Sequence, residues 1–457
     1  MAIWLETIQH LVWGRGLCLL LLGVGICYTI ATGVLPLHPL GLWLKETIGS
    51  LAAATKSSKD RLSPFEAMST ALGATMGTGN LVGVAAALAT GGPGAVFWMW
   101  VSAFFGMALK YGEIFLSLRY RFMDPRRGLV AGPMAYIERG LGSRPFAAVY
   151  GFLCLLGCFG MGNLSQANAM AQGLWAAWKI PPLYSGLAAA VLVGLVAAGG
   201  LRMLGKVTGF VVPLLTLAYL GAGFIVLYVN RSALPGILAA IFQEAFSLPA
   251  AAGGTAGYGI RQAMASGFSK GVFSHEAGLG SSSLAHGAAD AQEPAKQAMW
   301  GIFEVFVDTM VVCTMTALVI LASGVSLSAE GARSAMAAFA TVFGDGASGV
   351  LAAALALFAF ATLIGWRYYG ESCVRYLWGN RAVWIYGVLF LGAVVVGAVT
   401  GAKEIWNLAD SVNGLMAFPN LTALVFLLPQ VARGTKEYLK KEKKKTEKRV
   451  DKWGAVW

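Results

Sequence analysis

Two apolar stretches of this chain are each interrupted by glycine and small polar residues. The first interruption, residues 73–80, has the sequence GATMGTGN. Unwinding at Gly77 and Gly79 would leave the N–H groups of residues 78–80 without helical partners, and such donors at a helix N-terminus suit a carboxylate. The carbonyls of residues 73–76 would end the preceding half-helix and suit a small cation. The alternative is that these glycines only allow close helix packing.

The second interruption, residues 273–281, has the sequence FSHEAGLGS. Polar and charged groups inside an apolar segment are costly and usually face a cavity. Glu276 either holds the unwound backbone or contacts a solute directly. His275 either titrates near neutral pH or caps backbone in its neutral form. Lipid cannot satisfy a broken helix, so two matching breaks predict a binding site of the kind found in secondary transporters.

Polar side chains between and beyond the breaks can complete such a site. The amides of Asn163 and Gln166 suit a zwitterion, although hydrogen bonding between helices is the alternative. Thr362 and Trp366 are four residues apart and share a helix face. Thr362 can supply an oxygen to a cation site, whereas Trp366 either bounds a small pocket or serves in packing.

Charged residues within other apolar stretches predict structural pairs. Spacings of three and four residues bring side chains together on a helix surface. Two pairs are predicted on this basis: Lys110 with Glu113, and Arg367 with Glu371. Glu304 and Asp308 lie near the predicted inner end of the apolar stretch 297–323 and remain open to either a gating or proton role, or a structural pairing with Arg or backbone.

The composition indicates a membrane protein. Hydrophobic residues make up 57% and charged residues 12% of the 457-residue chain, with a mean hydropathy of +0.67, whereas soluble proteins carry about 25% charged residues. Apolar runs near the ~20 residues that span a bilayer recur along the chain. Such continuous runs argue against a β-barrel. The N-terminal region lacks the basic segment and cleavage site of a signal peptide, so we expect its apolar stretch to be a retained helix.

Half of the net charge of +12 comes from the C-terminal tail, which carries ten Lys or Arg and four Asp or Glu. This distribution argues against a nucleic-acid partner. We expect residues 433–457 to form a solvated, disordered cytosolic tail that contacts anionic lipid headgroups. The six cysteines lie in apolar stretches without a CxxC pair and are interpreted as packing residues.

Catalytic motifs are scarce in this chain. His275 and Glu276 begin an HExxH pattern, but position 279 is leucine, so the zinc-protease pattern is incomplete. We therefore predict a protein that is not an enzyme.

The apolar pattern predicts an all-α, polytopic protein with eleven transmembrane helices. The predicted spans are residues 15–36, 64–90, 95–120, 147–178, 183–200, 206–229, 266–287, 297–323, 349–374, 382–400 and 407–430. With the C-terminus in the cytoplasm and the N-terminus outside, the predicted inner loops and tail hold 25 Lys or Arg and the outer loops hold 5. That bias agrees with the positive-inside rule.

Helices 2–6 and 7–11 each begin with a broken helix and enter the membrane from opposite sides, which predicts an inverted 5+5 repeat. The predicted segments are an extra N-terminal helix with an inner loop (1–62), the first repeat (63–230), an outer loop (231–265), the second repeat (266–432) and the tail (433–457).

Several stretches resemble the alanine or glycine:cation symporter family. They are GTGNLVGVAAAL (77–88), GGPGAVFWMW (91–100), GNLSQANAM (162–170), GVFSHEAGLGSS (271–282), WGIFEVFVDT (300–309) and FATLIGWRYYGE (360–371). The resemblance implies a LeuT-type fold in the cell (inner) membrane and sodium-coupled uptake of alanine or glycine. Sodium is the only metal or coupling ion implied, and the oligomeric state is left open.

The resemblance also implies roles for individual residues. Amino-acid-binding residues are expected at Gly77, Thr78, Gly79, Gln166, Phe273, Ser274, Glu276 and Trp366. Sodium ligands are expected at two sites: Gly73 and Met76 with Thr362, and Thr75 with Asn80.

Three positions depart from the family pattern. Asparagine is usual where His275 stands, proline is frequent at Ser283, and a hydroxyl is common at Ala361. His275 leaves open a proton-coupled transporter of small amino acids. A channel is a further alternative, because broken helices also form pores.

Overall fold

The chain folds into a mostly helical bundle. The computed structural model describes residues 15–37, 41–53, 61–246, 256–326, 331–344 and 346–454. The first ten α-helices are α1 (Arg15–Ala31), α2 (Gly41–Glu46), α3 (Pro64–Thr75), α4 (Val82–Gly91), α5 (Gly94–Tyr120), α6 (Pro133–Gly140), α7 (Arg144–Phe159), α8 (Ser165–Trp178), α9 (Pro182–Ala198) and α10 (Gly200–Val229). The next nine are α11 (Leu234–Phe246), α12 (Ala256–His275), α13 (Ser283–Gly287), α14 (Pro294–Val305), α15 (Thr314–Ser323), α16 (Gly331–Phe343), α17 (Gly346–Trp378), α18 (Ala382–Val399) and α19 (Ala402–Gly454).

Many of these helices can cross a membrane. Within the described residues, seven are long and apolar enough to do so, or eight if the bent pair Pro64–Thr75 and Thr78–Gly91 forms one span. Shorter apolar helices are Gly16–Ala31, Pro182–Ala198 and Ser334–Phe343. The predicted total of eleven therefore stays a prediction. The second half of the predicted seventh span contains only the five-residue helix α13.

Two spans contain a widened π-helical segment. Gly160–Leu164 joins α7 to α8, and Phe306–Cys313 joins α14 to α15. π-Segments are rare and occur frequently at functional sites. The second segment contributes the Asp308 side chain to the candidate site, and the first contributes the backbone at Gly162 that lies against Trp366.

Local sequence signals explain where α3 begins. The Ser63 hydroxyl accepts from the Glu66 N–H, and the Glu66 carboxylate accepts from the Ser63 N–H, forming a complete capping box. Pro64 occupies the first helical position, where its missing N–H costs nothing. The start of the first interrupted span is thus fixed by its own sequence.

The two interrupted spans meet at one end of the molecule. Leu62, just before α3, donates its N–H to Ala288 O at 3.1 Å and accepts from Asp290 N at 2.7 Å, which forms a parallel β-bridge beyond α13. The Arg121 guanidinium donates to three carbonyls of residues 287–291 at 2.6–3.0 Å. The first span begins and the second ends here, so they run in opposite directions.

A two-stranded hairpin covers this same end, which we name the basic end for Arg121, Arg127 and Arg375. Strands β1 (Phe122–Asp124) and β2 (Gly128–Val130) pair antiparallel, an element that the all-α prediction did not include. The hydrogen bond from Arg127 holds the pKa of the Asp124 carboxyl below its ordinary range. The hairpin lies against the end of α17, since a Cβ atom built at Gly128 would be 3.5 Å from Arg375 Cδ.

The predicted disorder of the tail is wrong for its described part, because α19 continues as a helix to Gly454. Val431, Thr435 and Tyr438 recur at helical spacing and are buried. The Tyr111 and Thr435 hydroxyls lie 2.9 Å apart in a hydrogen bond between α5 and α19. These buried residues form a narrow face that packs on the bundle, although the rest of the segment is rich in lysine.

Candidate functional site

The first predicted interruption is present. Helix α3 ends at Thr75, Gly77 departs from helical geometry (φ −111°, ψ −141°), and a short 3₁₀ turn covers Thr78–Asn80 before α4. The two halves are bent by 55°. The interrupted segment is buried throughout, so its free backbone groups face protein.

Gln166 lies directly against this segment. A Cβ atom built at Gly77 would be 2.8 Å from Gln166 Oε1 and 2.5 Å from Thr362 Oγ1, so only glycine fits without displacing a neighbour. The Thr78 N–H donates to Gln166 Oε1 at 3.2 Å. The structure thus places an amide oxygen at a donor that the sequence assigned to a carboxylate.

Two of the three residues predicted for the first sodium site are in contact. The Thr362 hydroxyl donates to Gly73 O at 2.9 Å and to Phe358 O at 3.1 Å. Met76 follows on the same interrupted segment, and its sulfur accepts from the Thr216 hydroxyl at 3.5 Å. Gly73 O and Thr362 Oγ1 are therefore already neighbours across α3 and α17.

The second predicted sodium pair is arranged differently. The Thr75 hydroxyl bonds within its own helix, to Leu72 O at 3.0 Å. The Asn80 amide nitrogen donates instead to Asp308 Oδ1 at 2.7 Å. Among the described residues, the buried Asn80 Oδ1 and Thr78 Oγ1 have no hydrogen-bond partner. Two oxygen atoms beside the first interruption thus remain available to a ligand.

The second interruption is also present, slightly later than the sequence indicated. Helix α12 ends at His275, and positive φ angles follow at Glu276 (55°), Gly278 (93°) and Gly280 (80°). A positive φ is unusual for a residue such as glutamate. The Glu276 carboxylate accepts from the Ser281 hydroxyl through one oxygen, while its buried Oε1 has no partner among the described residues.

Lys110 of α5 supports the start of this interruption. Its ammonium group donates to His275 O at 2.7 Å and to Glu304 Oε1 at 2.8 Å. The predicted pairing of Lys110 with Glu113 is therefore wrong. A cation is favourable at the carbonyl end of a helix, so Lys110 is drawn to the end of α12 rather than to its neighbour on α5.

Glu113 supports the middle of the same segment. Its Oε1 accepts from Gly278 N at 2.9 Å, from Gly280 N at 3.1 Å and from Asn420 Nδ2 at 2.7 Å. These two N–H groups have lost their helical acceptors, and a carboxylate satisfies both. Helix α5 thus stabilises the carbonyl end of α12 with a positive charge and the N–H groups that follow it with a negative charge.

The two interruptions contact each other through Gly79, which lies beside α12. A Cβ atom built at Gly79 would be 3.4 Å from Phe273 Cδ1 and 3.6 Å from Ser274 Cα. The Ser274 hydroxyl donates to Asp308 Oδ2 at 2.8 Å, and the other carboxylate oxygen binds Asn80. Asp308 therefore joins both interruptions, a place that sequence spacing gave no signal to assign.

Trp366 lies against the π-segment that joins α7 to α8. A Cβ atom built at Gly162 would be 2.3 Å from Trp366 Cβ, so the backbone and the Trp366 side chain are in direct contact. The ring packs edge-on against Tyr369, with centroids 5.4 Å apart. The indole Nε1 is buried without a partner in the described part of the chain.

The amide side chains of α7–α8 were predicted either to bind a solute or to hydrogen-bond between helices, and the structure separates them. Asn163 donates to Phe390 O at 2.8 Å and Asn168 to Thr400 O at 2.7 Å, so both hydrogen-bond between helices or to the end of a helix. Gln166 alone of these three faces the first interruption, through Thr78. The predicted role of Asn163 in a packing contact is thus the one the geometry favours.

Known proteins resemble this chain over almost its whole length. Residues 1–452 match the model of the sodium:alanine symporter family. The chain is 38% identical to an uncharacterized transporter of Haemophilus influenzae over 443 residues, which cover 96% of each chain. It is 37% identical to the sodium/alanine symporter AgcS of Methanococcus maripaludis over 442 residues, covering 95% of this chain and 96% of AgcS.

A solved structure, MhsT in complex with L-phenylalanine, has a TM-score of 0.58, covers 83% of this chain and 99% of its own, and is 12% identical. At that identity the similarity concerns the fold alone, which is of the LeuT type.

Proposed function

Because the chain belongs to the sodium:alanine symporter family, we propose that it is a sodium-coupled symporter that imports alanine and glycine by alternating access. Members of this family are multi-pass membrane transporters rather than enzymes. The observation that carries the proposal is the contact between two interrupted spans, beside which oxygens of Thr78 and Asn80 are buried without a partner among the described residues.

The proposed amino-acid site uses the free end of the first interruption. The N–H groups of Thr78 and Gly79 bind the substrate carboxylate, which replaces Gln166 Oε1 at Thr78. Gln166 then turns its amide toward the substrate. The full set of proposed contacts is Gly77, Thr78, Gly79, Gln166, Phe273, Ser274, Glu276 and Trp366.

The walls of this site favour small side chains. Phe273 lies against Gly79, and Trp366 lies against Gly162. Both aromatic rings occupy space that a longer substrate side chain would need. We therefore propose glycine and alanine as substrates, with serine at the upper size limit.

Sodium binds, in this proposal, where oxygen atoms converge on the first interruption. Gly73 O, Met76 O and Thr362 Oγ1 form one site, and the proximity of Gly73 O to Thr362 Oγ1 supports it. Thr75 and Asn80 belong to a second.

We add the carboxylate of Asp308 to the second site. Its described hydrogen-bond donors are the neutral groups of Asn80, Ser274 and Thr309. A buried carboxylate held only by neutral donors leaves negative charge for a cation.

Transport requires the interrupted spans to move against α7–α8 and α17. We propose that residues 63–230 and 266–432 form inverted repeats, supported by the opposite directions of the interrupted spans. The positive-inside bias supports placing the basic end in the cytoplasm and the N-terminus outside, in the cell membrane.

The coupling ion can be tested in proteoliposomes that contain the purified protein. We expect saturable accumulation of labelled alanine under an inward sodium gradient, with competition by glycine and little competition by phenylalanine. Lithium or a proton gradient without sodium is expected to support little accumulation, and monensin to abolish it. Accumulation driven by protons alone would identify a proton-coupled transporter, and flux that never saturates would identify a channel.

Substitution of the proposed pocket residues provides a second prediction. Gln166→Ala removes a polar contact to a charged substrate, worth about 1.5–3 kcal/mol, so the KM for alanine is expected to rise about 10–100-fold. Trp366→Ala is expected to abolish uptake or to admit larger amino acids, because it removes a wall. Competition by a panel of amino acids distinguishes the two outcomes for Trp366.

Matched controls lie on the same or a neighbouring helix. Gln172→Ala changes an amide that bonds Asn168 at 2.7 Å, and Trp384→Ala changes a tryptophan that is 75% exposed. Both controls are expected to leave substrate selectivity unchanged. Wild-type uptake and selectivity in Gln166→Ala and Trp366→Ala would remove these residues from the site.

A further inference from the structure

A cavity of about 290 Å³ lies at the basic end, between α9, α10 and α17. Its walls include Val193, Val196, Leu204, Ile364, Arg367 and Tyr368. None of the residues proposed for amino-acid or sodium binding lines it. The cavity is therefore a feature of the bundle that the proposed transport site does not use.

The polar side of the cavity has unbalanced charge. Arg367 Nη1 lies 3.1 Å from Glu371 Oε2, which confirms that predicted pair, and Arg375 also pairs with Glu371. Two guanidinium groups thus share one carboxylate. The buried Nε of Arg367 has no hydrogen-bond partner within the described residues. Buried donors in native proteins normally have an acceptor, so this Nε is open to an acceptor from outside the described residues, and the excess positive charge favours an anion.

The other side of the cavity is apolar and continues into a surface suited to lipid. Val193 and Val196 of α9 are buried against the cavity. On the remaining face of the same helix, Val191, Leu192 and Leu195 are 51–63% exposed. In a membrane, this exposed face contacts hydrocarbon. The cavity therefore joins a hydrocarbon-facing wall to a pair of arginines at the basic end.

We propose that this cavity binds the headgroup of an anionic phospholipid, with the phosphate at Arg367 and the glycerol region along α9. The planar guanidinium group offers paired donors that match phosphate oxygens. The volume lies near the lower end of the range for ligand pockets, so it accommodates a headgroup and the first acyl carbons while the chains remain in the bilayer. The proposal depends on the membrane setting and not on the transported substrate.

The test measures lipid binding to the full-length protein in detergent after delipidation. Native mass spectrometry and thermal unfolding are followed with short-chain phosphatidylglycerol as the probe. We expect one tightly bound phosphatidylglycerol and a rise in the unfolding midpoint. Short-chain phosphatidylcholine, inorganic phosphate and alanine are expected to produce neither effect.

Two variants test the cavity itself. Ala197→Phe fills it from α9, and Arg367→Gln removes the guanidinium group; each is expected to weaken phosphatidylglycerol binding about tenfold or more, as for the loss of one charge-assisted hydrogen bond. Ala188→Phe adds the same ring to an exposed position of α9 and is the matched control, expected to bind like the wild type.

Several results would overturn the proposal. Equal binding of phosphatidylcholine would remove the requirement for an anion, and an equal effect of inorganic phosphate would remove the requirement for a lipid. Competition by alanine would indicate a second zwitterion site. Unchanged binding in folded Ala197→Phe would place the lipid elsewhere. Each of these outcomes is independent of sodium-driven uptake, so the transport proposal stands or fails separately.

Discussion

Lys110→Met is expected to destabilise the protein by about 3–5 kcal/mol and to abolish uptake, because it leaves the buried Glu304 carboxylate without its cation. The Lys110–Glu304 pair is fully buried, with an N–O distance of 2.8 Å. The same substitution removes the donor to His275 O at the end of α12. Thermal unfolding in detergent measures the loss of stability, and uptake by proteoliposomes measures the loss of function.

A double variant separates these two consequences. Lys110→Met with Glu304→Leu removes the uncompensated charge and is expected to recover part of the stability. Uptake is expected to remain impaired, since His275 O still lacks its donor. Lys296→Met is the control, because it changes a lysine whose side chain is 49% exposed and whose ion pair contributes little. A Lys110→Met protein as stable as Lys296→Met would contradict the role assigned to Lys110.

Asp308→Ala is expected to lower kcat/KM for alanine about 100-fold or more. The carboxylate accepts from Asn80, Ser274 and Thr309 at 2.7–2.8 Å, and each hydrogen bond to a charged group contributes about 1.5–3 kcal/mol. Two such losses suffice for the expected effect. Uptake measured over a range of alanine concentrations checks it.

Asp308→Asn tests the charge separately from the shape. It keeps an oxygen for Asn80 or Ser274 but removes the negative charge, so the sodium concentration for half-maximal uptake is expected to rise about tenfold or more. Glu244→Gln, at an exposed position, is expected to retain the sodium dependence of the wild type. An unchanged sodium dependence in folded Asp308→Asn would exclude Asp308 from the cation site.

The sequence predicted both interruptions because their signal is local. Glycine and small polar residues within apolar runs contradict a lipid-facing helix wherever they occur. Gly77 indicates an interruption from its local sequence alone, and in the structure it lies next to Thr362 and Gln166. The ion pair of Arg367 and Glu371 was also predicted correctly, because side chains four residues apart are neighbours on a helix.

The errors and omissions concern contacts between distant segments. Lys110 and Glu113 are well spaced to pair, yet each is drawn to a different part of the second interruption by unsatisfied backbone groups. Asp308 reaches Asn80 across 228 residues of sequence, a distance over which spacing carries no information. Asn163 and Gln166 have the same chemistry, and only the packing of the helices separates a structural amide from one that faces the first interruption.

The β-bridge at Leu62 has a consequence for how the basic end can open. Both of its hydrogen bonds join main-chain groups of Leu62 to residues beyond α13, and the buried Leu62 side chain packs in one cluster with Ala288 and Ala289. Any motion that parts them must expose an N–H and a C=O on each strand, and water has to arrive as these groups separate. Opening of this end and entry of water into it are therefore a single event.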